Sequence, residues 1–256
     1  MTPRSADPII TDDFVLRLPD GANANADQDE EWCEVEHDGE TRRLRFHDYA
    51  DIYSIPGLYE RLIYEELRCE SPRVIARLLA GELERRDVDP AGLRALDLGA
   101  GNGIVAEELQ RVGVEHLVGI DIIPEAADAA QRDRPGLYDD YVVADLTEDS
   151  AETRKRLDDH DLNAFTCVAA LGFGDIPPQV FCEALRRINT PSLVAYNIKE
   201  TFLGEEDPSG FSDLVEGLDE QGSLVTLAKE RYQHRLSWAG EPLHYYAVLA
   251  EKRADF

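Results

Sequence analysis

From Leu93 onward, short apolar runs alternate with amphipathic stretches, and that alternation most constrains what this chain can fold into. Candidate strands fall at 95–98, 116–121, 141–144, 164–170 and 193–198. Candidate helices fall between and after them, at 104–111, 125–132, 152–160, 178–188 and 210–221. Strands separated by helices are expected to run parallel, with right-handed crossovers. The end breaks the pattern. Segments 230–236 and 243–251 flank a loop of hairpin size, so the last strand should turn back antiparallel.

The first strand runs straight into Gly99-Ala100-Gly101-Asn102-Gly103, and a helix pattern follows at once. Glycines at alternate positions let a backbone turn sharply and approach a ligand, because no Cβ blocks the path. A strand–turn–helix order also aims the first helical N–H groups at whatever the turn cradles. The second strand ends in an acid, Asp121, with 17 residues between it and Gly103. Taken alone, Asp121 reads as a strand-end acid, and Asp145 as a helix cap before Leu146 and Thr147. In order and spacing together, they read as a ligand-binding set.

The 256 residues, 43% of them hydrophobic, suit one α/β domain with an N-terminal extension. Net charge is −27, from 53 acids against 26 bases, four of them lysine. Such a field repels nucleic acid and anionic membranes, so neither is an expected partner. The charge has two readings: adaptation to high salt, or an ordinary acidic protein of a high-GC genome. Met1 to Asp7 lacks a signal peptide's apolar core, and no apolar run reaches the ~18 residues of a membrane span. A cytoplasmic location is expected. Cys33, Cys69, Cys167 and Cys182 form no CxxC pair, which points to reduced thiols and no metal site.

Residues 1–30 show little pattern, and the acidic stretch 20–31 reads as a flexible segment or a long loop. Trp32, Val35, Leu44 and Phe46 then flank Asp38-Gly39, a strong hairpin signal at 31–46. Two helices are expected at 58–67 and 72–84, the second with Val74, Ile75, Leu78, Leu79 and Leu83 on its buried face.

Three pieces carry a resemblance to a known family. They are Asp97 to Gly103, Asp121 at the end of the second strand, and Ala144-Asp145-Leu146 after the third. With the terminal hairpin, they make residues 71–253 resemble the class I S-adenosylmethionine-dependent methyltransferases. A looser likeness, in 96–109, 118–122 and 169–177, runs to a group of small members that includes the methyltransferase-like protein of the Williams–Beuren region. The resemblance implies an α/β fold, a Rossmann-like doubly wound seven-stranded sheet with an antiparallel C-terminal hairpin strand. It places the S-adenosylmethionine-binding domain at 71–256, and an N-terminal β-hairpin and helical lid at 1–70.

The family's site carries over position by position. Gly99, Ala100, Gly101, Asn102 and Gly103 are expected around the amino-acid end of the cofactor, with Asp97 near its ammonium. Asp121 is expected on the ribose hydroxyls and Ile122 beside the adenine. Asp145 is expected to accept from the adenine amino group, with Leu146 packed on the ring. Ala169, Ala170 and Leu171 end the fourth strand, where the family's loop closes over the methyl donor. Tyr49 or Tyr59 is expected to reach the pocket, though Tyr49, Tyr53, Tyr59 and Tyr64 also suit plain packing. An NAD-binding reading fits less well. Its fingerprint is G-x-G-x-x-G, and an acid at Asp97 would face a pyrophosphate.

The implied activity is in-line methyl transfer driven by alignment, with no base assigned. The expected acceptor is a small molecule, and the segment after the fourth strand lacks the Asn/Asp-Pro-Pro-aromatic signature of enzymes that methylate exocyclic amines. Phe173, Asp175, Asn197, Lys199 and Glu200 sit where an acceptor would lie, though a structural role as loop filler, cap or surface charge suits each better than a catalytic one. His234 and His244 read as solvated or sheet-facing. Asn163 stands where the family often has Asp, and 189–192 replaces its usual glycine turn. Two alternatives stay open: a non-catalytic S-adenosylmethionine-binding sensor or accessory protein, and a protein methyltransferase acting on a basic segment. The hairpin at 31–46 departs from the minimal family domain and leaves a homodimer open.

Overall fold

The computed structural model describes residues 8–19, 27–148, 150–172, 175–203, 207 and 209–256. The chain divides into two compact units, one of 1–70 with 233–244, the other of 71–232 with 245–256. The division therefore differs from the continuous 71–256 domain expected from sequence, because the tip of the terminal hairpin counts with the first unit.

In the first unit, β1 (Ile9–Ile10), β2 (Val15–Arg17), β3 (Trp32–His37) and β4 (Glu40–Arg45) form one antiparallel sheet in that order. Asp38 and Gly39 both take left-handed φ, 52° and 78°, as a tight two-residue hairpin turn requires. Strands β1 and β2 were not expected, since two or three residues cannot display a period. Cys33 and Val35 alternate inward on β3, and meet Leu16 and Leu44 in the core.

Beyond the sheet lie α1 (Tyr49–Ser54) and a π-wound turn at Glu60–Glu66, where an ordinary helix over 58–67 was expected. Its last bond runs from Leu67 N–H to Leu62 O (2.9 Å). The wider winding lets Leu62 and Leu67, five apart, both bury fully.

The hairpin tip pairs with the same unit through Leu236 N–H to Leu67 O (2.7 Å) and Glu70 N–H to His234 O (2.9 Å). Glu31, at the end of the stretch expected as a flexible segment or long loop, is buried. One of its oxygens accepts from the Arg235 guanidinium, the other from Trp238 N–H (2.8 Å). His234 is buried too, its Nδ1 3.8 Å from Cys69 Sγ, and not solvated.

The second unit holds the seven-stranded sheet. Its strands are β5 (Arg94–Leu98), β6 (His116–Asp121), β7 (Asp140–Val143), β8 (Ala164–Cys167), β9 (Ser192–Lys199), β10 (Leu224–Leu236) and β11 (Pro242–Lys252). They lie in the order β10-β11-β9-β8-β5-β6-β7, with β5 to β9 parallel and β11 antiparallel to β9. Helices α2 (Ser71–Arg86) and α3 (Ile104–Val112) share a core with Ala95, Leu117, Ala195 and Ala247 of the sheet. Helix α4 (Pro124–Asp133) packs on β6 and β7. Helices α5 (Ala151–Asp158), α6 (Pro178–Arg186) and α7 (Phe211–Glu220) share a second core with Leu96, Val118, Phe165, Val194 and Val248. Alternate strand residues thus feed two layers, the pattern of a doubly wound sheet.

Strand β8 stops at Cys167, not at Ala170 as expected, because Ala169 takes a φ of 58° that no extended strand can hold. Among the described residues, no helix is long and apolar enough to cross a membrane. Cys33, Cys69, Cys167 and Cys182 form no disulfide.

Removing one partner of a buried ion pair leaves an uncompensated charge. Glu31→Gln is therefore expected to lower stability by about 3–5 kcal/mol in urea unfolding, whereas the double replacement Glu31→Leu with Arg235→Met loses clearly less.

Candidate functional site

Strand order reverses between β5 and β8, and in such sheets ligands gather outside the carboxyl ends of the strands at that point. The turn after β5 and the residues after β8 meet there. Gly99 has a φ of +70°, and a Cβ built on it would lie 2.9 Å from Ala170 Cβ and 3.0 Å from Ile176 Cδ1. Gly99 and Ala100 both donate their N–H to Ile120 O (2.9 and 3.1 Å), which ties the turn to the end of β6.

Asp121 completes that tie. Its Oδ2 accepts from Gly101 N–H (2.9 Å) and its Oδ1 from Ile123 N–H (3.0 Å). Burial pushes its carboxyl above the usual range, the backbone donors pull it down, and the charge of Asp175 adds to the rise. The charge of Asp175 thus reaches Asp121. Ile122 is 57% exposed and Val143, paired with Asp121 in the sheet register, is 43% exposed. They are two of the four large hydrophobics exposed among the described residues, with Ile10 and Val88, and these two lie at adjoining strand ends.

Asp97 lies deeper, 1% exposed, with Oδ1 accepting from Thr166 Oγ1 (2.8 Å) and Oδ2 from Tyr138 Oη (2.9 Å). Burial raises its carboxyl, the two hydroxyls lower it, and Asp121 raises it again, leaving it pushed up to about 7. Among the described residues, neither Asp97 nor Asp121 has a basic side chain as partner.

Several expected residues also carry structural bonds. Asn102 turns inward, its Nδ2 donating to Asp133 Oδ2 (3.3 Å). Asp145 Oδ1 accepts from Thr147 N–H and Oγ1 (both 2.7 Å), the capping geometry weighed for it from sequence, and Leu146 beside it is buried. Asn197 is buried and central to a network: its Oδ1 accepts from Ala169 N–H (2.6 Å), and its Nδ2 donates to Tyr232 Oη (2.7 Å) and Ser71 Oγ (3.0 Å). It holds the left-handed residue after β8. Glu200 is taken by Arg231 at 2.9 and 3.0 Å, and Lys199 Nζ sits 5.6 Å over the Phe202 ring. Asn163 stitches the start of β5 through Arg94 N–H (2.8 Å). Phe173 lies outside the described residues.

Tyr49 and Tyr59 belong to the first unit. There they form a run of rings with Tyr53 and Tyr64, at centroid spacings of 6.1, 4.7 and 5.8 Å.

Tyr138 and Tyr141 were missed. Tyr141 Oη donates to Gly101 O (2.8 Å), so both tyrosines brace the turn from behind. One signal was available: Gly119 lies inside β6, and a Cβ there would come within 3.0–3.1 Å of Tyr141, Ala100 and Tyr138. Glycine inside a strand marks such a close approach.

Residues 96–191 match the family model described as a methyltransferase domain. None of the curated proteins matches the chain in sequence. Among solved structures, an S-adenosylmethionine-dependent methyltransferase from Clostridium acetobutylicum is similar at a TM-score of 0.52 and 11% identity, over 77% of this chain and 97% of that one. Magnesium protoporphyrin IX methyltransferase from Synechocystis, with bound SAH, is similar at 0.52 and 12%, over 76% and 92%. These two likenesses speak for the fold.

The turn leaves no room for a side chain at its first glycine. Gly99→Ala is expected to cost about 1–3 kcal/mol, from left-handed strain and overpacking against Ala170, read as a lower midpoint in thermal or urea unfolding.

Proposed function

We propose that this member of the class I S-adenosylmethionine-dependent methyltransferase superfamily binds S-adenosylmethionine at the turn after β5 and passes its methyl group to a small-molecule acceptor. The observation that carries the reading is the pair of acids at the strand ends, Asp97 buried and Asp121 half-buried, with no basic side chain as partner among the described residues. Acids so placed suit a ligand that brings positive charge and suit a phosphate poorly.

The residues fit the group. Gly99 to Gly103 would hold its amino-acid end near Asp97, and Asp121 its ribose hydroxyls. The exposed faces of Ile122 and Val143 suit a flat ring, with Asp145 at its edge. When bound, S-adenosylmethionine supplies a methyl group already activated on a sulfonium sulfur. The chain's own part is then alignment, which can lower a barrier by roughly 7–11 kcal/mol. Asn197 contributes by fixing Ala169, and with it Ala170 against Gly99. No base is needed unless the acceptor must lose a proton.

Calorimetric titration with S-adenosylmethionine is expected to show binding by the wild type, and for Asp121→Ala at least about tenfold weaker binding, or 1.4 kcal/mol. No binding by the wild type would overturn the reading. Labelled methyl donor added to a cell extract then separates acceptors. Labelled small metabolites are expected, and a labelled protein band would instead favour a protein acceptor.

A further inference from the structure

We propose that Asp97, held between Thr166 and Tyr138, is a proton-loaded receptor for a ligand ammonium group, so that S-adenosylmethionine enters as a proton leaves. The proposal rests on the cofactor reading above and adds to it a coupling between binding and pH.

Among the described residues, these are the hydroxyl, thiol and carboxyl groups that face Asp97: Thr166 and Cys167 come from β8, Tyr138 precedes β7, Tyr141 stands on it, and Asp121 closes β6. None of them can carry a positive charge. Burial pushes the Cys167 thiol and both tyrosine hydroxyls upward, so they stay neutral near pH 7. Asp121 adds only negative charge. A carboxylate this deeply buried beside a second acid has two ways to avoid an uncompensated charge: keep a proton or meet a cation.

The geometry serves both states. In the ionised state Asp97 accepts from Thr166 and Tyr138 at 2.8 and 2.9 Å. In the protonated state its own O–H must donate, and the Tyr138 hydroxyl can receive it by turning its proton toward Ala100 O, 3.5 Å away. Tyr138 is thus a positioning residue that links the charge on Asp97 to the backbone of the turn. On ligand entry the carboxyl O–H bond breaks and its proton goes to solvent. The ligand's N–H then donates to the freed carboxylate, and the net charge of the site is the same before and after.

Burial pushes the carboxyl up to about 7, so proton release per S-adenosylmethionine bound should be partial near neutral pH and approach a whole proton at pH 5.5. The experiment is calorimetry of the full chain in buffers of different ionisation enthalpy. Proton release should grow from pH 7 to pH 5.5, with the apparent Kd about tenfold weaker at the lower pH. 5′-Methylthioadenosine, which lacks the ammonium group, should bind without releasing a proton. Tyr138→Phe removes a hydroxyl that favours the charged form, and should move half-release to higher pH. Asp97→Asn should bind with buffer-independent enthalpy. If that variant does not fold, infrared difference spectra of the ligand-free wild type between pH 5.5 and 8 should still show a buried protonated carboxyl that disappears as pH rises.

Binding of S-adenosylmethionine with buffer-independent enthalpy throughout would overturn the proton coupling and leave the cofactor reading standing. Equal release by 5′-methylthioadenosine would also overturn it. No binding at all would overturn both.

Discussion

The Asp121 carboxylate accepts Gly101 N–H with one oxygen and Ile123 N–H with the other, and most of the second unit's working end depends on that bridge. It couples two chain segments 20 positions apart. The Ile120 carbonyl adds the N–H groups of Gly99 and Ala100 to the same junction. With the turn so fixed, Ala170 can lie against Gly99 without a Cβ between them, and Tyr138 and Tyr141 can reach backbone oxygens from behind. A single side chain thereby sets the shape of the turn and one rim of the site.

The other side of the crevice is set by a different network. Ala169 is held in a left-handed conformation by Asn197, which in turn meets Ser71 at the start of α2 and Tyr232 on β10. The sequence offers no local hint of this. Asn197 reads equally well as a polar residue at a strand end, and only the three-dimensional meeting of four segments gives it a fixed role.

What could be read from the sequence follows the range of the interaction involved. The Gly99 to Gly103 turn, the acids ending strands, the Asp38-Gly39 hairpin and the alternation of β5 to β9 with their helices are short-range patterns, and the structure contains them. Strands β1 and β2 are too short for a period. The π-wound turn differs from an α-helix by one residue per turn, which apolar spacing alone does not separate. Tyr138, Tyr141 and the Glu31–Arg235 pair act across 38 to 204 positions of chain, where no local pattern reports the partner. Asp145 shows the converse: its local capping bonds were foreseeable, and they coexist with the ligand role proposed for it.

The long strands β10 and β11 leave one compact unit and finish in the other, and Arg235 near their tip finds its counter-charge on Glu31 at the opposite end of the chain. The two units are therefore not interchangeable modules. A fragment beginning at residue 71 would retain the guanidinium and lose its carboxylate, and Leu236 would lose the carbonyl of Leu67. Any recombination that exchanged one unit for that of a relative would have to carry the hairpin tip with it, so these segments form one unit of inheritance despite lying some 200 residues apart.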